Sequence, residues 1–267
     1  MARRERVRSP DVISHYRLVI EYRGLRYLGW QIQPETSGKT VQGELNKALR
    51  VISKSEQVRS LGAGRTDSGV HALGQVAKVS IPLVIDPKNL IRALNVNLPD
   101  DIRVLEAAAS DDAFMPTVNA KSKEYHYRFS AMRTFNAFQN DFIVNYPFEL
   151  DLLKMREACA VLRGVHDFTN YFCEGTEVSS YVREIFECEI LEVQQGDWNM
   201  FPSHYQFRIV GNGFLKQMVR LLMGAIWNIG RGKITVDEFK TSLSSVKIKK
   251  LGAVAPPFGL YMVRVNY

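Results

Sequence analysis

Residues 62–72 read Gly62-Ala63-Gly64-Arg65-Thr66-Asp67-Ser68-Gly69-Val70-His71-Ala72, the densest cluster of chemically special side chains in the chain. Glycine lets the backbone turn closely, which suits a loop that presents side chains to a ligand, and equally a long hairpin connection in which Asp67 bonds its own backbone. A phosphate-loop reading fails. No Gly-Lys-Ser/Thr follows, and the segment leads into a strand pattern where phosphate loops open a helix. A second candidate lies in the run Phe214 to Ile229, which reads as a helix, apolar nearly all round, with Lys216 and Arg220 four residues apart on one face. All-round apolarity implies burial, and a buried guanidinium is costly without an anion. Arg220 therefore either pairs with a carboxylate or phosphate or snorkels to the surface. Tyr125 shares a strand face with Tyr127 and Phe129, for which core packing is the default reading. His71 and His166 have no carboxylate or cysteine at ligand spacing beside them and read as structural. Cys159, Cys173 and Cys188, spaced by 14 and 15 residues, fit neither a disulfide framework nor a close-spaced zinc pair, and point to a reducing interior.

The elements that must position these residues follow from hydrophobic period. Tyr16, Leu18, Ile20 and Tyr22 alternate as a half-buried strand requires. Val41, Leu45, Ala48, Leu49 and Ile52 form one helical stripe, with Thr40 as the N-cap. Strands follow around Val58 to Leu61 and Ala72 to Ile81, on either side of the glycine-rich loop. Asp86 and Pro87 open a short helix carrying Leu90, Ile91 and Leu94, and a strand from Ile102 to Ala107 closes the half. The second half repeats the order: strand Glu124 to Ser130, helix Leu152 to Leu162, strands Ile185 to Val193 and His204 to Val210, helix Phe214 to Ile229, and strand Leu260 to Val265. Each half is thus β-α-β-β-α-β, an α+β ferredoxin-like unit with both helices on one sheet face. Two such units in tandem can set their sheets around a central cleft with helices outside. The expected division is a basic flexible arm over 1–14, an N-terminal half over 15–110 and a C-terminal half over 111–267.

Composition narrows the class. The 267 residues are 46% hydrophobic and 24% charged, which excludes collagen-like, disordered and coiled-coil readings. Thirty-five Lys and Arg against 28 Asp and Glu leave +7, which favours an anionic partner, nucleic acid or a membrane surface. Arg3, Arg4, Arg6 and Arg8 concentrate part of that excess in the arm. The amino end lacks the apolar core of a secretory signal, and Lys216 and Arg220 interrupt the most apolar stretch, so the chain reads as soluble and intracellular with no spanning helix.

The glycine-rich loop and seven segments around it carry a resemblance. The loop Gly64 to Ala72 resembles the nucleophile loop of the tRNA pseudouridine synthase A family. The surrounding pieces match that family in order: Tyr22-Arg23-Gly24 with Gly29-Trp30-Gln31; Thr40-Val41-Gln42-Gly43-Glu44-Leu45; Leu94-Asn95 with Leu98-Pro99-Asp100-Asp101-Ile102; Lys123-Glu124-Tyr125-His126-Tyr127-Arg128; Gly164-Val165-His166-Asp167-Phe168; Phe214-Leu215 with Met218-Val219-Arg220; and Ala255-Pro256-Pro257 with Gly259-Leu260-Tyr261. The resemblance implies that Asp67 is the catalytic nucleophile, that Tyr125 stacks on the target base, and that Arg220 pairs with the aspartate. It also implies that Leu260 lines the base pocket and that Arg65 contacts RNA and helps to prise the nucleotide out. The substrate implied is uridine at positions 38, 39 and 40 of the tRNA anticodon arm, the assembly a homodimer, and the reaction free of metal and nucleotide cofactors. A cytoplasmic location is expected, with an organelle matrix as the minority alternative.

Three departures stand beside the match. Arg23 occupies a position where the family usually has Asp, Thr117 closes a segment lacking the usual His or Asp and Arg, and Lys216-Gln217 falls where the family varies. They bear on RNA contact, since Asp67, Tyr125 and Arg220 are all present. Two other classes compete. One is a catalytically silent RNA-binding protein or chaperone on the same fold. The other, a carboxylate-dependent phosphotransferase, would need an acidic metal cluster near Asp67 that the sequence does not show.

Overall fold

The computed structural model describes residues 12–32, 38–133, 137–173, 178–194 and 203–267. The arginines at 3, 4, 6 and 8 lie outside the described residues. Among the described residues ten strands and five α-helices make a mixed α+β architecture, as expected, and the chain forms two compact units, Met1–Ala120 with Met262–Tyr267, and Lys121–Tyr261.

In the first unit, β1 (Ser14–Tyr22) buries Tyr16, Leu18, Ile20 and Tyr22 in strict alternation. α1 (Val41–Ser53) begins where Thr40 accepts the Gly43 amide at 3.1 Å, and its Val41, Leu45, Ala48 and Leu49 are buried. β2 (Arg59–Gly62) and β3 (His71–Ile81) flank the glycine-rich loop. α2 (Pro87–Asn97) is capped by Asp86, which accepts the amides of Lys88 and Asn89, and β4 (Ile102–Ser110) follows. β1 is central, antiparallel to β3 on one edge and to β4 on the other, while β2 pairs the C-terminal end of β3. α2 packs on β4 and against α1. After β4 the chain crosses back, held by Lys78, whose Nζ reaches the Asp112 carboxylate at 3.1 Å.

The second unit is built on β5 (Ser122–Ser130), β7 (Gly164–Asp167), β8 (Val182–Val193) and β9 (His204–Gly211), ordered β5-β9-β8-β7 and antiparallel throughout. The two-residue β6 (Val144–Asn145) lies parallel to the end of β5. α3 (Leu152–Leu162) packs on β8, on α4 (Met218–Gly230) and on α5 (Val236–Thr241). The last strand, β10 (Leu260–Asn266), begins in this unit and ends in the first. No helix among the described residues is long and apolar enough to cross a membrane.

One expected helix is shorter than its apolar pattern. α4 starts at Met218 instead of Phe214, because Gln217 sits in the left-handed region at φ +61° and interrupts the helical run. Lys216 therefore precedes the helix, exposed, and does not share a helical face with Arg220. Eleven of the thirteen α4 residues are buried, which requires a close neighbour on every side. Residues 252–255 supply one side. A Cβ on Gly224 would stand 1.9 Å from the Ala253 carbonyl oxygen. Gly224→Ala should therefore lower unfolding stability by about 1–3 kcal/mol, although alanine is the better helix former. Urea denaturation measures this, and an unchanged midpoint would contradict the close backbone approach.

Candidate active site

Asp67 is half-buried in a segment without regular structure between β2 and β3. Its neighbours are tied down in sequence. The Thr66 carbonyl accepts the Trp30 amide at 3.1 Å, and the Thr66 hydroxyl meets the Tyr22 hydroxyl at 2.8 Å. The Tyr27 carbonyl accepts from the Gly69 amide at 3.4 Å and from the Ser68 hydroxyl at 3.2 Å, while the Val70 amide closes a turn on the Asp67 carbonyl. Gln75 donates to the Gly64 carbonyl at 2.8 Å. Residues 22–30, between β1 and α1, thus act as an arch over the loop. A Cβ on Gly24 would stand 1.9 Å from the Val70 carbonyl oxygen, so only glycine fits beneath it.

The arch has its own supports. Tyr27 donates its hydroxyl to the buried Asp101 carboxylate at 2.5 Å, and the Asp101 carbonyl accepts the Arg23 amide. Gln42 accepts the Ile32 amide and donates to the Ser60 carbonyl, linking the arch to α1 and β2. Burial pushes the Tyr22 phenol up to about 12, against the opposite pull of its hydrogen bond to Thr66, so it stays a neutral partner through the physiological range. His71, almost wholly buried, accepts the Gly24 amide on Nδ1 and is a structural residue. His166 contacts the Arg163 carbonyl at 3.0 Å. Among the described residues no group of three His, Cys, Asp or Glu could hold a metal ion.

Arg65, in the same loop, is exposed. The remaining candidates lie in the second unit. Tyr125 is buried in β5, its ring meeting Phe214 edge-on at 5.1 Å. Tyr127, two residues on, is fully buried and donates its hydroxyl to the Pro256 carbonyl at 2.8 Å, and burial raises its pKa far above the ordinary phenol range. Arg220, half-buried on the first turn of α4, donates Nε to the Ala255 carbonyl at 2.7 Å, and the Ala255 amide returns a bond to the Arg220 carbonyl. Leu260 is buried at the start of β10. The strap Gly252 to Gly259 thus connects Arg220, Tyr127 and the strand of Leu260. Sequence reading singled out the loop and missed its props: Tyr22 and Asp101 are visible only as members of motif segments, and Tyr27 lies between two of them.

The family model described as tRNA pseudouridine synthase matches residues 18–116 and 158–267. The chain belongs to the tRNA pseudouridine synthase family. Similar proteins named tRNA pseudouridine synthase A include that of Anoxybacillus flavithermus (strain DSM 21510 / WK1), 40% identical over 93% of this chain and 96% of that one. Those of Bacillus pumilus (strain SAFR-032) and Bacillus subtilis (strain 168) are each 40% identical over 93% of this chain and 97% of theirs. The resemblance read from the seven segments is borne out, and the chain is an isomerase acting on tRNA. Among solved structures, a chain of a "Cbf5-Nop10-Gar1 Complex" is similar at 12% identity and a TM-score of 0.35, over 92% of this chain and 48% of that one. The matched segments of the tRNA pseudouridine synthase family include Arg65, Asp67, Arg220 and Leu260, while Tyr125 falls in the interval between them.

Within this tRNA pseudouridine synthase fold, Gly24 sets the height of the arch over the loop. Gly24→Ala should displace the Val70 backbone and cut pseudouridine formation about a hundredfold, as misplacement by an ångström does. The assay is run at a temperature where circular dichroism shows the variant folded; full activity in the folded variant would break the link between arch and loop.

Proposed function

We propose that the protein converts uridine to pseudouridine at positions 38, 39 and 40 of the tRNA anticodon stem-loop, with Asp67 as the nucleophile. The observation that supports this best is the loop itself. It lies inside the matched family segment and is fixed by backbone bonds on both sides of Asp67. A carboxylate with catalytic duty needs a fixed position, and the arch provides it through its bonds to Thr66, Ser68 and Gly69.

The reaction breaks the C1′–N1 bond, turns the freed base and forms a C1′–C5 bond. The C5 proton is lost and N1 gains one, so redox state is unchanged and the chemistry calls for no metal or nucleotide cofactor. Asp67 serves by attack on C1′, by attack on C6, or by drawing off the C2′ proton. Arg220, in this reading, is the counter-ion that orients Asp67. Its bond to Ala255 fixes Nε. Tyr125 clamps the detached base with its ring, and Leu260 supplies apolar wall. A base stacked in the anticodon stem hides C1′, so the nucleotide must first be flipped out, and the exposed Arg65 takes the RNA side of that step. The enzyme acts as a homodimer in the cytoplasm, each tRNA meeting positive charge on both subunits.

Tritium release from 5-labelled uridine in a tRNA transcript tests the central claim. Wild type should release tritium and Asp67→Ala should not; release by Asp67→Ala would falsify the nucleophile assignment. Arg220→Met should abolish release while the far-ultraviolet spectrum stays that of a folded protein, and retained activity there would remove Arg220 from the mechanism.

A further inference from the structure

Lys123 lies two residues before Tyr125 on β5, and the alternation of that strand puts both on the face that buries Tyr127 and Phe129. It is nine-tenths buried, an unusual place for a lysine. Its strand neighbour is Gly211 on β9, which pairs in turn with Ile185 on β8, so β9 itself puts no side chain between the lysine and the isoleucine. Arg183, two residues before Ile185, shares that face. Its Nε stands 3.7 Å from the point where a Cβ on Gly213 would sit. The Phe214 ring comes within 3.3 Å of the matching point on Gly211 and meets Tyr125 edge-on. The turn 211–214 therefore has a lysine, an arginine and the base-clamping tyrosine around it.

These two cations differ from Arg208 of the same unit. Arg208, at the opposite strand face, is ringed by the carboxylates of Glu124, Glu187 and Glu189. Among the described residues Lys123 has no carboxylate partner, and Arg183 donates only to the carbonyls of Ser180 and Val182. Burial lowers the Lys123 pKa and the Arg183 charge lowers it further; burial likewise lowers that of Arg183. A buried lysine close to a half-buried arginine carries a cost that an anion would offset.

We propose that Lys123 and Arg183 form a binding site for one phosphodiester group of the RNA strand that delivers the target nucleotide to Tyr125. A phosphodiester carries one negative charge on two open oxygens, which a guanidinium and an ammonium on adjacent sides satisfy together. The inference rests on the reading of Tyr125 as the base clamp, and it adds the element that reading lacks: a fixed point on the backbone beside the flipped nucleotide.

The test uses the full chain and unmodified tRNA. Lys123→Met, Arg183→Met and the double variant are titrated with tRNA over a salt series, and their melting temperatures are recorded. The double variant should bind roughly tenfold more weakly, and the slope of log affinity against log salt should fall by about one. The Lys123→Met protein should melt at or above the wild-type temperature, because a buried charge has been removed. A lysine with only a structural role would lose affinity and melting temperature together. Unchanged affinity and slope in the double variant overturn the proposal. Should Lys123→Met melt lower, wild type and Arg183→Met are compared on tRNAs that each carry a single methylphosphonate linkage. One linkage that weakens wild type and not Arg183→Met supports the site, and no such linkage overturns it. Tritium release by wild type is read separately, so failure of the isomerase reading is distinguishable from failure of the phosphate site.

Discussion

The peptide groups of residues 63–70 have no strand or helix of their own to bond within, and a folded chain leaves few such groups unsatisfied. Gln75 and Val76 of β3 hold Gly64 and Ala63, and the rest of the segment leans on the arch over 22–30: Trp30 donates to Thr66, Tyr27 accepts from Ser68 and Gly69, and Tyr22 holds the Thr66 hydroxyl. Much else in the first unit follows from this constraint. Gly24 is glycine because the arch touches backbone. Asp101 is buried, at a cost that its bond from Tyr27 offsets, because Tyr27 must not turn away. Gln42 spends both ends of its amide on the same assembly. The result is an irregular segment as constrained as a strand, with Asp67 at its centre.

The second unit solves the same problem with a helix. α4 is buried nearly all round, so its one charged residue, Arg220, sits where its backbone and side chain both meet the strap over 252–259. Close approach at Gly224 brings the strap in, the Ala255 carbonyl fixes Nε, and the next carbonyl, that of Pro256, takes the Tyr127 hydroxyl. Tyr127 is thereby committed to the core. Tyr125, two residues earlier on the same face, meets the Phe214 ring edge-on.

How much of this was legible in the sequence depended on range. Period and capping are local, so β1, α1 with its Thr40 cap and α2 with its Asp86 cap lie where the residues place them. The start of α4 was not legible, because Gln217 gives no side-chain cap and the apolar run continues upstream through Phe214 and Leu215, which are apolar for other reasons. β6 and β7, of two and four residues, are too short to show a period. Asp67 was legible through its motif. Its props were not, since Tyr22 meets Thr66 across 44 positions and Tyr27 meets Asp101 across 74, and no local pattern encodes such pairs. Lys123 was concealed differently: the strand's alternation reads it as inward-facing, and a lysine at an inward position looks like a flaw in the pattern.

Net charge, +7 for the chain, says little by itself about which cations meet RNA. What separates them is the charge of their surroundings. Arg208 has three carboxylates about it and Lys78 has Asp112, so their charge is neutralised within the protein. A phosphate approaching either would have to displace a bonded carboxylate, and the exchange of one anion for another gains little. Arg183 has neutral acceptors only, and its charge lowers the Lys123 pKa, so an anion at the proposed site would meet no carboxylate competitor and would relieve that repulsion. Which positive charges the fold leaves without a carboxylate is set by such local surroundings, and the composition of the chain cannot show where they are.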